Sequence, residues 1–342
     1  MYALLEDDFE PWLLNAHHLK AVPGRKTDVK DAEWICQLVE HGLVRASFVP
    51  PRDIRELRDL TRYRKALIQE RTREVQRLDK VLQDAGIKLS SVASDLLGVS
   101  GRAMLAGLVE GTRDPAVLAE LAKGQLRKKL PQLREALEGR FRAHHALLVG
   151  ELLAHIEYLE DAIERLSAEV ERHLAPFALE VGLLDTIPGI DRRSAEVILA
   201  EIGADMTRFP TAQHLASWAG RCPGNHESAG KRGPGRTRKG SKWLAVTLTE
   251  CATAAARSKR TYLASQYARI KGRRGHKKAV GAVAHSLLVI AYHVLQRQRP
   301  YADLGPDYLL RRDNAEAYAK RLVRQLERLG HKVTLEPLPL SG

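Results

Sequence analysis

Cysteine is scarce: Cys36, Cys222 and Cys251 are the only three in 342 residues, far apart and without a C-x-x-C pair. That excludes a disulfide framework and a cysteine-built zinc site, and it fits a reducing compartment. An uninterrupted apolar run of membrane-spanning length is lacking, as is a basic-then-apolar leader. The nearest candidate, Val280 to Leu295, is broken by His285 and His293. A cytoplasmic chain with no membrane partner is the expectation. Acid is also scarce in one place. From Arg221 to Lys278 there are sixteen lysines and arginines against two glutamates, Glu227 and Glu250, so this segment carries the excess of a chain whose net charge is +13. A generally basic surface would spread its charge. A concentrated field with glycines and interspersed Trp243, Tyr262 and Tyr267 suits a polyphosphate partner, bound chiefly through counterion release.

What is present begins with "GRKTDVKDAEWICQLVE", Gly24 to Glu40, where Asp28 and Asp31 stand three residues apart before an apolar stretch. On one reading they are a helix start signal: Thr27 is a good N-cap, and a carboxylate in the first turn is favoured by the unpaired amides and the helix dipole. On the other they hold a cation. At 100° per residue Ala32, Ile35, Cys36, Leu38 and Val39 share one sector, and both aspartates project into its middle. Desolvating an ionised carboxylate there costs several kcal/mol, as an order of magnitude, unless a cation or donor compensates. Two oxygen ligands suit Mg²⁺ or Mn²⁺. The spacing alone leaves both readings open.

Along the chain, "WLLN" at Trp12 to Asn15 reads as a buried strand and residues 1–50 as the tail of a larger α/β domain, since one strand cannot make a parallel sheet. Pro50 and Pro51 mark a boundary. A long helix follows over Ile54 to Ala85, with Ile68, Val75 and Leu82 seven apart and Leu78 between; a second covers Ala146 to Leu174. They resemble coiled-coil arms, or two amphipathic helices packed on each other. "LLDTIPGIDRRSAEVILAEIG", Leu183 to Gly203, reads as helix, tight turn, helix. It resembles a helix-hairpin-helix, whose turn amides grip phosphate, although Asp191 stands where the usual second glycine would be and would repel an anion. Asn314 to Leu340 reads as a basic amphipathic helix, Gly330 and a short strand. The expected division is 1–50, 51–175, 176–310 and 311–342, in a mainly α chain.

"CPGNHESAGKRGPGRTRKGSKWL", Cys222 to Leu244, carries Ser228 at the head of a cationic, glycine-rich loop. Lys231, Arg232, Arg236, Arg238, Lys239 and Lys242 are the candidate nucleic-acid contacts. A serine so placed can attack a phosphodiester and store the bond as a phosphoserine link. Serines in such loops are far more often hydrophilic filler, and His226 is a weak candidate for a local base.

Taken together, "AVPGRKTDVKDAEWI", "TIPGIDRRSAEVILAEIG", "HLASWAG", "ESAGKR" and "AVAHSLLVIAYHVL" resemble the transposases of the insertion-sequence one-ten family, also called the one-sixteen or nine-oh-two group, from about Asn15 to the C-terminus. The resemblance implies a RuvC-like (RNase H-like) α/β domain with a D-E-D-D metal site, a coiled-coil arm and a helical C-terminal transposase domain with a serine nucleophile. Asp28 and Asp31 match the last two acids, in the K-T-D-x-x-D motif, and would be catalytic metal ligands; Ser228 matches the nucleophile. It further implies DNA recombination with Mg²⁺ or Mn²⁺, a homo-oligomer, and a structured noncoding guide RNA. The family's first Asp and its Glu would precede Met1, and Glu6, Asp7 and Asp8 are poor substitutes, so a chain with two carboxylates is expected to hold Mg²⁺ poorly. The alternatives are a non-catalytic DNA- or RNA-binding protein of transposase descent and a structure-specific binding module built on the helical hairpin.

Overall fold

The computed structural model describes residues 2–14, 31–44, 46–222, 227–228, 231–232 and 239–335. The described residues are mainly helical and fall into two compact units, one of Met1–Arg55 with Phe177–Gly342, the other of Glu56–Pro176.

In chain order the helices are α1 (Tyr2–Leu5), α2 (Asp31–Glu40), α3 (Arg52–Asp84), α4 (Val99–Val109), α5 (Pro115–Glu120), α6 (Leu130–Leu137), α7 (Ala143–Leu174), α8 (Ala178–Asp185), α9 (Arg192–Ile202), α10 (Ala212–Trp218), α11 (Lys242–Ala255), α12 (Tyr262–Arg274), α13 (His276–Arg297) and α14 (Tyr308–Arg328). A two-stranded antiparallel pair, β1 (Glu227–Ser228) and β2 (Lys231–Arg232), lies between α10 and α11.

The Glu56–Pro176 unit is an antiparallel pair, α3 and α7, with a head of shorter helices. Their mutual contacts step in opposite directions along the two helices: Asp84 meets His145, while Arg71 meets Glu160. Leu78 and Leu82 of the expected seam are fully buried in the head with Leu105, Leu118, Leu133 and Val149. Further along, Leu67 packs with Leu159 and Ile163, and Ile68 is only partly covered. The Glu160 carboxylate accepts from Arg71 of α3 and from Arg102 of α4, both at 2.6 Å, which ties three helices at one point.

In the other unit α13 is the central helix. Its composition and length are enough to cross a membrane, yet Val283, Ala284, Leu287, Leu288, Ala291 and Leu295 are buried against α8, α10, α11 and α12. A helix apolar on most sides is what the core of a helical unit requires. The Tyr292 hydroxyl donates to the Phe209 carbonyl at 3.0 Å. Phe48 joins the same unit through edge contacts to Phe209 and Trp218, with centroids 5.3 and 6.1 Å away.

Two expected strands do not form over their described residues. Of 12–15, residues 12–14 are irregular, and of 331–338, residues 331–335 likewise; Asn15 and 336–338 lie outside the described residues. Trp12 and Leu13 are about half exposed. The Leu13 carbonyl accepts from the Ser47 amide at 2.7 Å, a single tie rather than a ladder. An apolar run becomes a strand only when a neighbour supplies that ladder. The apolar sector of α2 is also less covered than its spacing predicts: Leu38 is buried, Ile35 and Val39 half-buried, Ala32 and Cys36 exposed.

Candidate nucleic-acid interface and active site

The basic loop hangs from a closed base. The Arg221 amide donates to the Ala216 carbonyl at 2.8 Å, which turns the chain out of α10. Its guanidinium reaches across to the Ala245 carbonyl of α11 and lies 3.5 Å from the Thr249 hydroxyl. Burial pulls the Arg221 pKa down. At the returning end, a Cβ on Gly240 would stand 2.2 Å from the Ala219 carbonyl oxygen, so the two sides of the base touch backbone to backbone and only glycine fits. Ser241 follows as N-cap of α11. Its hydroxyl donates to Glu201 Oε2 at 2.8 Å, and Glu201 is 1 % exposed.

The α8–α9 hairpin braces the same helix at its far end. Gly189, at φ +89°, packs so closely on α11 that a Cβ would lie 2.5 Å from the Cys251 carbonyl and 2.6 Å from the Ala255 nitrogen. With Glu201 holding one end of α11 and Gly189 the other, α9 and α11 run antiparallel. One amide in the first turn of α9 is capped from within. Asp191 accepts from the Ser194 amide at 2.9 Å; burial pushes its carboxyl up, but the hydrogen bonds from Ser194 outweigh this and its pKa is lowered. In this geometry the hairpin acts as a brace for α11.

Ser228 ends β1 and pairs across the strands with Lys231; Glu227 pairs with Arg232. The side chains of these four residues, and Arg236, Arg238 and His226 entirely, lie outside the described residues. Lys239 and Lys242 are exposed, and the Lys242 ammonium sits 5.1 Å from the centre of the Trp243 ring. Asp31 is the first residue of α2, with its side chain outside the described residues, as is all of Asp28. Glu6 and Asp7, the nearby acids, are engaged with Arg55 and Arg52. The hydrogen bond from Arg55, more than its charge, holds the Glu6 carboxyl below its usual pKa.

Among the described residues one group has the composition of a metal site: Asp84, His144 and His145, with ligand atoms within 4.8 Å of one another. The hydrogen bonds oppose that use. His145 Nδ1 accepts from the Arg142 amide at 3.1 Å, which fixes the ring proton on Nε2, and Nε2 donates to Asp84 Oδ2 at 3.2 Å. An ion on Nε2 would have to displace that proton and break the helix cap.

Sequence reasoning misses Glu201 and Ser241. A signal is nonetheless present, because Glu201 is an acid lying beside the apolar positions Ile198 and Ile202 on α9, the same kind of placement that singles out Asp28 and Asp31.

Comparison with known proteins matches both halves of the site region. A model described as a transposase, of the DEDD type of IS110 elements, matches residues 1–87, and one described as the transposase IS116/IS110/IS902 family matches residues 181–268. The chain is 26% identical over 234 residues to the transposase for insertion sequence element IS1328 of Yersinia enterocolitica, covering 68% of this chain and 59% of that protein. It is 27% identical over 300 residues to the insertion element IS110 uncharacterized 43.6 kDa protein of Streptomyces coelicolor, covering 80% and 72%. A pilin gene-inverting protein of Moraxella bovis is 30% identical over 128 residues, covering 35% of this chain and 38% of that protein. The match to the first of these spans less than two thirds of its length. Two models of one group, matched in chain order to residues 1–87 and 181–268, place the chain in the IS116/IS110/IS902 family of transposases.

Proposed function

We propose that the chain is a DNA transposase that cuts and rejoins strands of an insertion sequence through Ser228. The Ser228 Oγ attacks the scissile phosphorus, a P–Oγ bond forms and the P–O3′ bond breaks. The hydroxyl proton leaves Oγ and the departing O3′ gains one. A 3′-hydroxyl attacking the phosphoserine reverses the exchange and reseals DNA with no net loss of bond energy. The charge that develops on the phosphoryl oxygens falls to Lys231, Arg232, Arg236, Arg238, Lys239 and Lys242. Asp28 and Asp31 are hard-oxygen ligands of the kind that Mg²⁺ or Mn²⁺ takes, though two carboxylates hold the ion weakly; when bound it would supply Lewis-acid charge to the phosphate. Under this reading residues 1–50 belong to the RNase H-like domain, 51–175 form a coiled-coil arm, 176–310 the transposase domain with its helix-hairpin-helix-like brace, and 311–342 the tail. A guide RNA, a homo-oligomer and work at the nucleoid in the cytoplasm complete it.

The observation that carries the reading is the placement of Ser228 beside Lys231 in a loop whose base is shut where Gly240 meets Ala219, inside the matched segment 181–268. The test incubates full-length protein and Mg²⁺ with duplex DNA from the borders of its own element, and looks for a covalent adduct on a denaturing gel. Ser228→Ala should abolish the adduct and leave DNA affinity within about twofold, since it removes no charge. An adduct that survives the substitution removes Ser228 from the mechanism. A wild-type chain that binds DNA without forming one favours the non-catalytic binding reading, which the engagement of Glu6 and Asp7 with arginines also supports.

A further inference from the structure

From Cys251 to Ala302 the chain has eleven lysines and arginines and no aspartate or glutamate. Five of these cations, Lys271, Arg273, Arg274, Lys277 and Lys278, crowd the corner where α12 ends and α13 begins, and all are exposed. None is ion-paired with a described residue. Gly275, at φ +80°, makes the corner: it is both C-cap of α12 and N-cap of α13.

Three of the five have a plain structural explanation. Lys271, Arg273 and Arg274 lie in the last turn of α12, where the helix dipole favours cations. The other two have the wrong sign. Lys277 and Lys278 occupy the first turn of α13, which has no acid and no side-chain cap, and there the dipole and the three neighbouring cations both oppose them. A corner selected for stability would carry Asp or Glu at these two positions. Charge held in place against local electrostatics points to an external polyanion.

The corner also indicates which kind. The aromatic side chains at the corner are His276 and Tyr267, whose rings meet edge to face with His276 Nδ1 2.8 Å from the Tyr267 hydroxyl and the Lys271 ammonium 5.7 Å from the Tyr267 ring centre; this one pair, engaged with its neighbours, is not a row of platforms for successive bases of a single strand. Residues 271–278 include no Ser, Thr, Asn or Gln, and their lysines and arginines, which also pair with guanine edges, bind phosphate first as charge. The geometry points to a second nucleic-acid surface, beyond the Ser228 loop and the matched segment 181–268 in the chain, on which the backbone of duplex DNA lies and is held chiefly through charge. The choice of DNA rests on the proposed function; the surface itself does not require the serine chemistry.

The test measures binding of the full chain to a short duplex of arbitrary sequence by fluorescence anisotropy over a series of KCl concentrations. Replacing Lys271, Arg273, Arg274, Lys277 and Lys278 with Gln should flatten the log–log salt slope by about 4, at about 0.9 for each phosphate no longer neutralised. Replacing Lys320, Arg321, Arg324 and Arg328 of α14 with Gln is the control for a diffuse field and should leave the slope nearly unchanged. The double variant Lys277→Glu and Lys278→Glu separates binding from folding, since it should raise the unfolding midpoint while weakening DNA binding at least tenfold. An unchanged slope in the five-site variant, equal flattening by the α14 control, or a greater weakening toward duplex RNA than toward duplex DNA each overturns the inference. A flattened slope together with an adduct that survives Ser228→Ala would keep the surface and discard the serine.

Discussion

Gly240→Ala tests the closed base directly. The added methyl would stand 2.2 Å from the Ala219 carbonyl oxygen, 2.5 Å from its carbon and 2.9 Å from the Gly220 nitrogen. A normal separation is about 3.5 Å, so backbone must part from backbone by roughly 1 Å. No flexible side chain is there to yield. Overpacking of this kind costs about 2 kcal/mol, and the Ser241–Glu201 bond lies next to the displaced residue. Trp12, Trp34, Trp218 and Trp243 all lie in the unit that carries the loop, so tryptophan fluorescence during urea unfolding reports that unit. With a slope of about 2 kcal/mol per molar urea, the midpoint should fall by about 1 M. Gly281→Ala is the matched control: Gly281 is exposed inside α13, and a Cβ there would meet nothing within 4 Å, so alanine should stabilise by about 0.5–1 kcal/mol. Equal midpoints for the wild type and Gly240→Ala would refute the claim that the loop is shut at its base.

Two further predictions concern stability. Asp191→Ala removes the cap of α9 and should cost about 1 kcal/mol at neutral pH. Because the carboxyl pKa is lowered on folding, the cap contributes fully above the ordinary carboxylate range and is lost as pH falls through the folded value. The gap between variant and wild type in urea should therefore close toward acid, and a gap that persists there would count against the cap. In the other unit, Glu160→Gln weakens both bonds to Arg71 and Arg102. The side chains are about a third exposed, which holds the cost to about 1 kcal/mol; faster hydrogen exchange along 143–174 is the measurement, and unchanged exchange would mean the network is idle.

The long helices are legible because their periodicity is local: spacing alone singles out Leu78 and Leu82, and both are buried. Leu67, one residue from the expected Ile68, takes the buried position because α7 approaches from that side, which no spacing within α3 reveals. The strands expected at 12–15 and 331–338 do not form over their described residues, 12–14 and 331–335, for the same reason, since a strand is defined by its neighbour. The concentration of charge after Arg221 is legible in full. The architecture that carries it is not: Gly240 meets Ala219, and Ser241 meets Glu201 forty residues away. The loop's glycines all look alike in sequence, and only the fold distinguishes the one at the seam from those in the span.

A loop sealed at its root behaves as a cartridge. Changes in length or sequence between Cys222 and Lys239 need not propagate into α10 or α11, and the entropy of closing a longer span grows only slowly, by about 0.6 kcal/mol per doubling. Related elements are therefore free to lengthen or shorten the spans around Ser228 and its cations while the seam at Ala219 and Gly240 stays as it is.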